Sequence, residues 1–322
     1  MRKKFLALAA ALFLNFAPVS AEKAWTLPEH GLYLESGSKQ SYLAEKIDKY
    51  FNTKPDAIKF EAPDGWNFET FDVDGVAVEC LENPGAGTSR VVFQLHGGGY
   101  ILPLSDVYRN FAVKQAVLAD AAKIYMIDYR LAPDNIYPAA LEDAVKAYKE
   151  ILRRGANPRE IIFIGDSAGG NLALELSIYL RENNLPQPKV LILVSPWTTL
   201  ETKMPSRKYN ETRDLVLGKG SPLFDGVRKP AYAKGLKLKD PRLSPIYADL
   251  KKLPPMLIQA GGYELFLDES LELAKKAAAD DVPVTLTVYP EMPHDFALIL
   301  PTLQDSVESF REIRDFVNAH MN

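Results

Sequence analysis

Six short apolar runs constrain this chain more than any other feature: Val91–Leu95, Ile124–Ile127, Ile161–Ile164, Val190–Val194, Met256–Gln259 and Val284–Val288. Runs of this length and composition fit strands buried on both faces. Helical patterns lie between them. Residues 138–153 read as a helix closed by Gly155; another carries Leu172, Leu176 and Leu180 on one face; the last aligns Val307, Phe310, Ile313 and Val317. Strands separated by helices require crossover connections, which predicts an α/β fold: a mostly parallel sheet with helices on both faces. Reacting groups in such sheets gather at the carboxyl ends of the strands.

Upstream, Phe71 and Val73 alternate into Asp74-Gly75 and out through Val76 and Val78. Asp-Gly between alternating runs predicts a tight hairpin. Cys80 continues the alternation, so it is expected to be a buried small hydrophobe rather than a nucleophile. It is the single cysteine of the chain, which excludes an intrachain disulfide. Two segments break the rhythm. Residues 22 to about 65 form a polar, aromatic-rich lead-in with one amphipathic helix around Tyr42, Leu43, Ile47, Tyr50 and Phe51; residues 203–239 hold Pro205, Pro222, Gly226 and Pro230 without a long strand. Both are expected to cap a single domain over residues 22–322.

With 322 residues, 47% of them hydrophobic, the chain has material for one large core. A net charge of -4 argues against wholesale nucleic-acid binding. Arg2, Lys3 and Lys4 precede an apolar run from Phe5 to Phe16, and Val19-Ser20-Ala21 supplies small residues. This is the pattern of a signal peptide cut after Ala21, with export to the periplasm or beyond. The run is shorter than the roughly 18 apolar residues of a membrane span.

The chemistry resides at three places. Gly165-Asp166-Ser167-Ala168-Gly169 follows one apolar run and opens a helix. A sharp strand-to-helix turn of this kind lifts a serine hydroxyl above the sheet, marking Ser167 as a nucleophile. His96-Gly97-Gly98-Gly99-Tyr100 follows another run. Glycine amides there, from Gly97 and Gly98 together with Ala168, are expected to face a developing oxyanion. His96 is expected to hold that loop rather than to titrate. A serine needs a base, and of His30, His96, His294 and His320 only His294 follows a core strand near the end of the sheet.

The HGGGY run, Asp128-Tyr129-Arg130-Leu131-Ala132-Pro133, GDSAGG, Asp240-Pro241 with Ser244-Pro245, and Met292-Pro293-His294-Asp295-Phe296 occur in one order. Together they resemble the hormone-sensitive-lipase family of α/β-hydrolases over roughly residues 68–320. The resemblance implies carboxylic ester hydrolysis without a cofactor or metal, on a small-molecule ester. It implies Ser167 as nucleophile, His294 as base and Gly97, Gly98 and Ala168 as oxyanion donors, with Arg130 a buried ion-pair partner. Where the family usually carries the acidic aspartate, this chain has Glu264, which still reaches an imidazole. Asp268 competes for that role, although at a helix start it reads as a cap.

Two other classes share these motifs: a ligand-binding protein on an inactive hydrolase scaffold, and a hydrolase of amides or lactones. Such inactive scaffolds would usually lack the serine, the histidine or a glycine, and all are present. Residues 203–239 carry ten lysines and arginines against three acids, a charge of +7 that leaves -11 on the remainder. A basic rim would attract anionic substrates; a solvated insertion would not. The oligomeric state is open.

Overall fold

A computed structural model describes residues 25–52 and 57–321, so the leader expected over residues 1–21 lies outside the described part. Helix α1 (Ser36–Phe51) is the amphipathic helix of the lead-in and buries Leu43, Ile47 and Tyr50. Strands β1 (Asn67–Val73) and β2 (Val76–Glu82) form the hairpin, with Val73 opposite Val76. Asp74 and Gly75 turn it with φ of 51° and 86°, the left-handed geometry that an Asp-Gly turn supplies. Cys80 is buried in β2, as its alternation required.

The six apolar runs become β3 (Val91–Leu95), β4 (Lys123–Asp128), β5 (Ile161–Asp166), β6 (Val190–Val194), β7 (Met256–Gly261) and β8 (Val284–Tyr289). The sheet order is β1-β2-β4-β3-β5-β6-β7-β8. Pairing is antiparallel from β1 to β2 and from β2 to β4, and parallel elsewhere. The four apolar residues opening β5, Ile161 to Ile164, are almost wholly buried. Each such side chain contributes roughly 1.5–3 kcal/mol of transfer free energy, so the centre of the sheet is also the centre of the core.

The crossovers run through α2 (Asp106–Ala119), α3 (Ala139–Arg153), α4 (Ser167–Glu182) and α7 (Leu267–Ala279); the short helices α5 (Ser206–Tyr209) and α6 (Phe224–Arg228) lie in the insertion. After α8 (Phe296–Ile299) the chain ends in α9 (Gln304–His320), which packs against α2, while α3 packs against α4. From β3 to β4 the chain moves one way along the sheet, and every later crossover moves the other way. With right-handed crossovers, α2 and α4 therefore leave on opposite faces. β3 and β5 are neighbours with Leu95 level with Gly165, so a crevice opens where their loops part.

Both irregular segments reach this crevice. From α1, Lys39 Nζ donates to the Pro290 carbonyl at 3.1 Å and Gln40 Nε2 to the Glu291 carbonyl at 2.9 Å, gripping the loop after β8. From the insertion, Ser206 Oγ donates to the Leu265 carbonyl at 2.7 Å and Asn210 Nδ2 to the Glu264 carbonyl at 3.0 Å, gripping the loop after β7. Among the described residues, no helix is long and apolar enough to cross a membrane.

Candidate active site

Ser167 takes φ of 52°, a left-handed conformation that a non-glycine residue holds only when its surroundings fix it. They do. A Cβ at Gly165 would strike the Gly169 carbonyl, and one at Gly169 would strike the Leu95 carbonyl. The turn from β5 into α4 therefore closes only with glycine at both places. The result projects Ser167 Oγ to 2.9 Å from His294 Nε2. His294 Nδ1 in turn lies 3.1 Å from Glu264 Oε2. Glu264 is three residues beyond β7 and His294 five beyond β8, and those strands pair in register up to Gly261 and Tyr289. Neighbouring strand ends thus bring the carboxylate and the imidazole together.

All three groups are buried. Burial pushes the Glu264 carboxyl above its ordinary range, and the His294 hydrogen bond opposes that. Burial pushes His294 down, but the Asp295 charge and then the Glu264 hydrogen bond overcome it, so the imidazole ends well above its usual value. A hydroxyl facing an imidazole backed by a carboxylate can be deprotonated as it attacks an electrophilic carbon.

The glycine loop is fixed from below. His96 is fully buried, pairs through Nδ1 with the Gly97 carbonyl at 2.8 Å and stacks on Tyr129 with ring centroids 4.2 Å apart. Burial pulls its pKa down to about 4, so it is a neutral structural group. The Gly97 N–H donates to Asp166 Oδ1 at 3.2 Å, and Tyr108 donates its hydroxyl to Asp166 Oδ2 at 2.6 Å. Gly97 was expected to offer its amide to an oxyanion; that amide is instead engaged by Asp166. Gly98 and Gly99 line the crevice, and Ala168 stands in the first turn of α4, where N–H groups lack intrahelical partners.

A model of the alpha/beta hydrolase fold matches residues 92–298. An esterase of Acinetobacter venetianus is 32% identical over 73% of this chain and 76% of its own length. The carboxylesterase/phospholipase LipF of Mycobacterium tuberculosis is 30% identical over 77% of this chain and 68% of its own. Among solved structures, an esterase from the bacterial hormone-sensitive lipase family superposes with a TM-score of 0.79 at 30% identity, covering 90% of this chain and 100% of that one. This chain belongs to the hormone-sensitive-lipase-like family of α/β-hydrolases. It is a carboxylic ester hydrolase, like the esterases it resembles.

Two further expectations for this esterase need correction. The Arg130 side chain is 40% exposed rather than buried, although it does pair with the buried Asp143 at 2.8 Å and with Glu142 at 2.8 Å. Asp268 does not cap its own helix: it sits in the first turn of α7 and accepts the Ser206 N–H at 2.7 Å and the Tyr209 hydroxyl at 2.8 Å. It ties down the insertion, while Glu264 faces the imidazole.

The hydrolase's crevice widens into a largely apolar cavity of about 1060 Å³ lined by Ser167, His294, Tyr50, Trp197, Leu217 and Leu298 among others. Its charged lining is mainly acidic: Asp128, Asp134, Asp225 and Asp295 against Arg130 and Lys229. Of the insertion's ten basic residues only Lys229 lines it; Arg207, Lys208 and Arg228 line a separate, smaller pocket. Among the described residues, no cluster of three or more His, Cys, Asp or Glu could hold a metal.

Three residues escape a reading of the sequence. Gly99 cannot be told from Gly97 in a run of three glycines. Asp214 counts there as one acid of a basic insertion, yet it is buried and accepts the N–H groups of Val216, Leu217 and Leu265 at 3.0, 3.1 and 2.7 Å. Asp295 follows His294 directly, and its Oδ2 lies 2.9 Å from His294 Nε2. Adjacency to the base was the available signal.

Proposed function

We propose that this esterase cleaves carboxylic esters of short to medium acyl chains with Ser167 as nucleophile, His294 as general base and Glu264 as the orienting acid. Gly98, Gly99 and Ala168 are the amides we assign to the oxyanion. The unbroken chain from Ser167 Oγ through His294 to Glu264, 2.9 and 3.1 Å, carries this reading.

Ser167 Oγ attacks the ester carbonyl while His294 Nε2 takes its proton. The carbonyl oxygen becomes an anion, and the preorganised amides stabilise it without reorganising. Glu264 holds the imidazole's Nδ1–H and offsets the positive charge that forms on the ring. Collapse breaks the bond to the alcohol, which leaves with the proton from Nε2. Water then repeats the sequence on the acyl-serine and releases the acid. The apolar cavity accommodates the hydrocarbon parts of such esters. Amides and lactones use the same acyl chemistry; a parallel assay on them separates that reading.

The lead-in and residues 203–239 act as the cap, since each supplies cavity-lining residues (Tyr50 from one, Val216, Leu217, Leu223 and Val227 from the other). Export follows from the basic start, apolar run and Val19-Ser20-Ala21. A mature chain beginning at Glu22 in the exported fraction would support it; a chain retaining its leader in the cytosol would contradict it.

Ser167→Ala tests the mechanism. Turnover of p-nitrophenyl butyrate should fall by several orders of magnitude, and a fluorophosphonate should label the wild type at Ser167 alone. Retention of a tenth of the wild-type rate would overturn the assignment.

A further inference from the structure

His294 Nε2 has two neighbours at 2.9 Å: Ser167 Oγ and Asp295 Oδ2. A ring nitrogen carries either a lone pair or a proton in its plane, so it cannot accept from Ser167 and donate to Asp295 at once. A carboxylate facing the lone pair is repelled; facing an N–H it is attracted. Only the Ser167 contact has hydrogen-bond geometry, while the Asp295 carboxylate beside the same nitrogen favours the protonated ring and so competes with Ser167 for it. A group that draws Asp295 away from the ring therefore favours the neutral imidazole that Ser167 needs.

Asp295 is built for another partner. Its residue is only 7% exposed, and it lines the cavity. Its φ of 50° and the bond from its N–H to Ser195 Oγ at 3.2 Å fix the backbone that aims it. Oδ1 is buried without a hydrogen-bond partner, and among the described residues His294 is the carboxylate's single ion-pair partner. A buried carboxylate oxygen left unpaired is costly, and a cationic N–H donor would relieve it. Arg130 and Lys229 line the same cavity, but among the described residues no lysine or arginine pairs with Asp295. Asp166 lies close enough for its charge to act on Asp295, the neighbouring Tyr50 and Tyr108 are uncharged phenols, and the cavity's charged lining is mainly aspartate.

The side of the ester that meets Asp295 follows from the chemistry. Nε2 must return its proton to the alcohol oxygen, so that oxygen sits within hydrogen-bond reach of Nε2. Asp295 Oδ2 is beside the same nitrogen. The alcohol portion, not the acyl chain, therefore passes the carboxylate. We infer that Asp295 forms a subsite for a protonated amine on the alcohol portion, and that the natural substrate class is carboxylic esters of short amino alcohols. Such a substrate places its N–H on Asp295, releases Nε2 to Ser167 and is cleaved by water to the acid and the amino alcohol. The inference rests on the esterase reading and deepens it. It also reverses the anionic preference that the basic insertion alone suggests.

The test compares two butyrates of nearly equal shape, 2-(dimethylamino)ethyl butyrate, protonated at neutral pH, and 3-methylbutyl butyrate, neutral. kcat/KM for both is measured in the wild type and in Asp295→Asn. The wild type should favour the cationic ester by about tenfold or more, the scale of one charge-assisted hydrogen bond, and the variant should lose that preference. The ratio cancels any effect of the substitution on the shared chemistry. An unchanged ratio, or a wild-type preference for the neutral ester, would overturn the subsite. Inhibition of the wild type by the free alcohols repeats the comparison without a variant. 2-(Dimethylamino)ethanol should bind more tightly than 3-methylbutanol, and equal or weaker binding would also overturn it. Wild-type turnover of the neutral ester with no ratio effect leaves the esterase reading standing; turnover of neither ester removes both.

Discussion

Asp214 accepts the Leu265 N–H at 2.7 Å, across the boundary between the insertion and the loop that carries Glu264. The same carboxylate receives the His294 N–H at 3.4 Å and the Val216 and Leu217 N–H groups. One buried group thus holds the cap, the acid loop and the histidine loop at once. Asp214→Asn places an amide where only acceptors fit. kcat for p-nitrophenyl butyrate should fall by roughly one to two orders of magnitude, because sub-ångström misplacement of a base is that costly. KM should change little. Steady-state kinetics check this; a pure KM effect would place Asp214 in substrate binding.

Glu264→Gln and Asp268→Asn separate the two candidate acids. The first keeps the shape but cannot offset the imidazolium, and kcat should drop by on the order of 10³–10⁴-fold. The second keeps one acceptor oxygen and loses one of the two bonds to the insertion, so it should lower stability by about 1–3 kcal/mol while keeping most of the activity. Thermal melts and initial rates on the same preparations decide it.

The acid limb of the pH–rate profile should move when Asp295 loses its charge. Burial lowers the His294 pKa, but Asp295 and Glu264 carry it well above the ordinary value. A general base works only when neutral, so kcat/KM rises with pH through that pKa. Asp295→Asn removes the largest raising contribution, and the limb should shift toward lower pH for a neutral ester. A limb that stays in place would show that Asp295 does not hold the imidazole proton.

His96 should make the fold sensitive to acid. Its pKa is near 4 when folded, below the ordinary value of about 6.5, because burial disfavours the charged form. Its contribution is complete above the unfolded value and is lost as pH falls toward the folded one. The full difference corresponds to roughly 3 kcal/mol. Across that window the melting temperature of the wild type should fall more steeply than that of His96→Asn.

The sequence made the sheet legible because its strands are apolar runs too short for buried helices, set between helical patterns, and because Asp74-Gly75 dictates its own turn. Ser167 and His294 were legible for a related reason: each follows a core strand, where local order alone fixes its place. What stayed hidden depends on contacts between distant segments. Which glycine amide faces the cavity turns on Asp166 reaching Gly97 from the next strand. Asp268 looks like a helix cap until α5 is seen lying against it. Asp214 reads as surface charge because its four N–H partners are scattered from Val216 to His294. Charge counting along residues 203–239 failed to describe the cavity because the insertion directs most of its basic side chains elsewhere.

The burial of Cys80 has a practical side. It is the one thiol of the chain, and burial pushes its pKa to about 11, so thiol reagents will find almost no thiolate. Cysteines introduced at two exposed leucines, Leu236 in the insertion and Leu271 on α7, would react without background from the native residue. A pair of spin labels there turns the cap into a ruler: the spread of distances between the two leucines would give the number of its positions and their populations, with and without substrate.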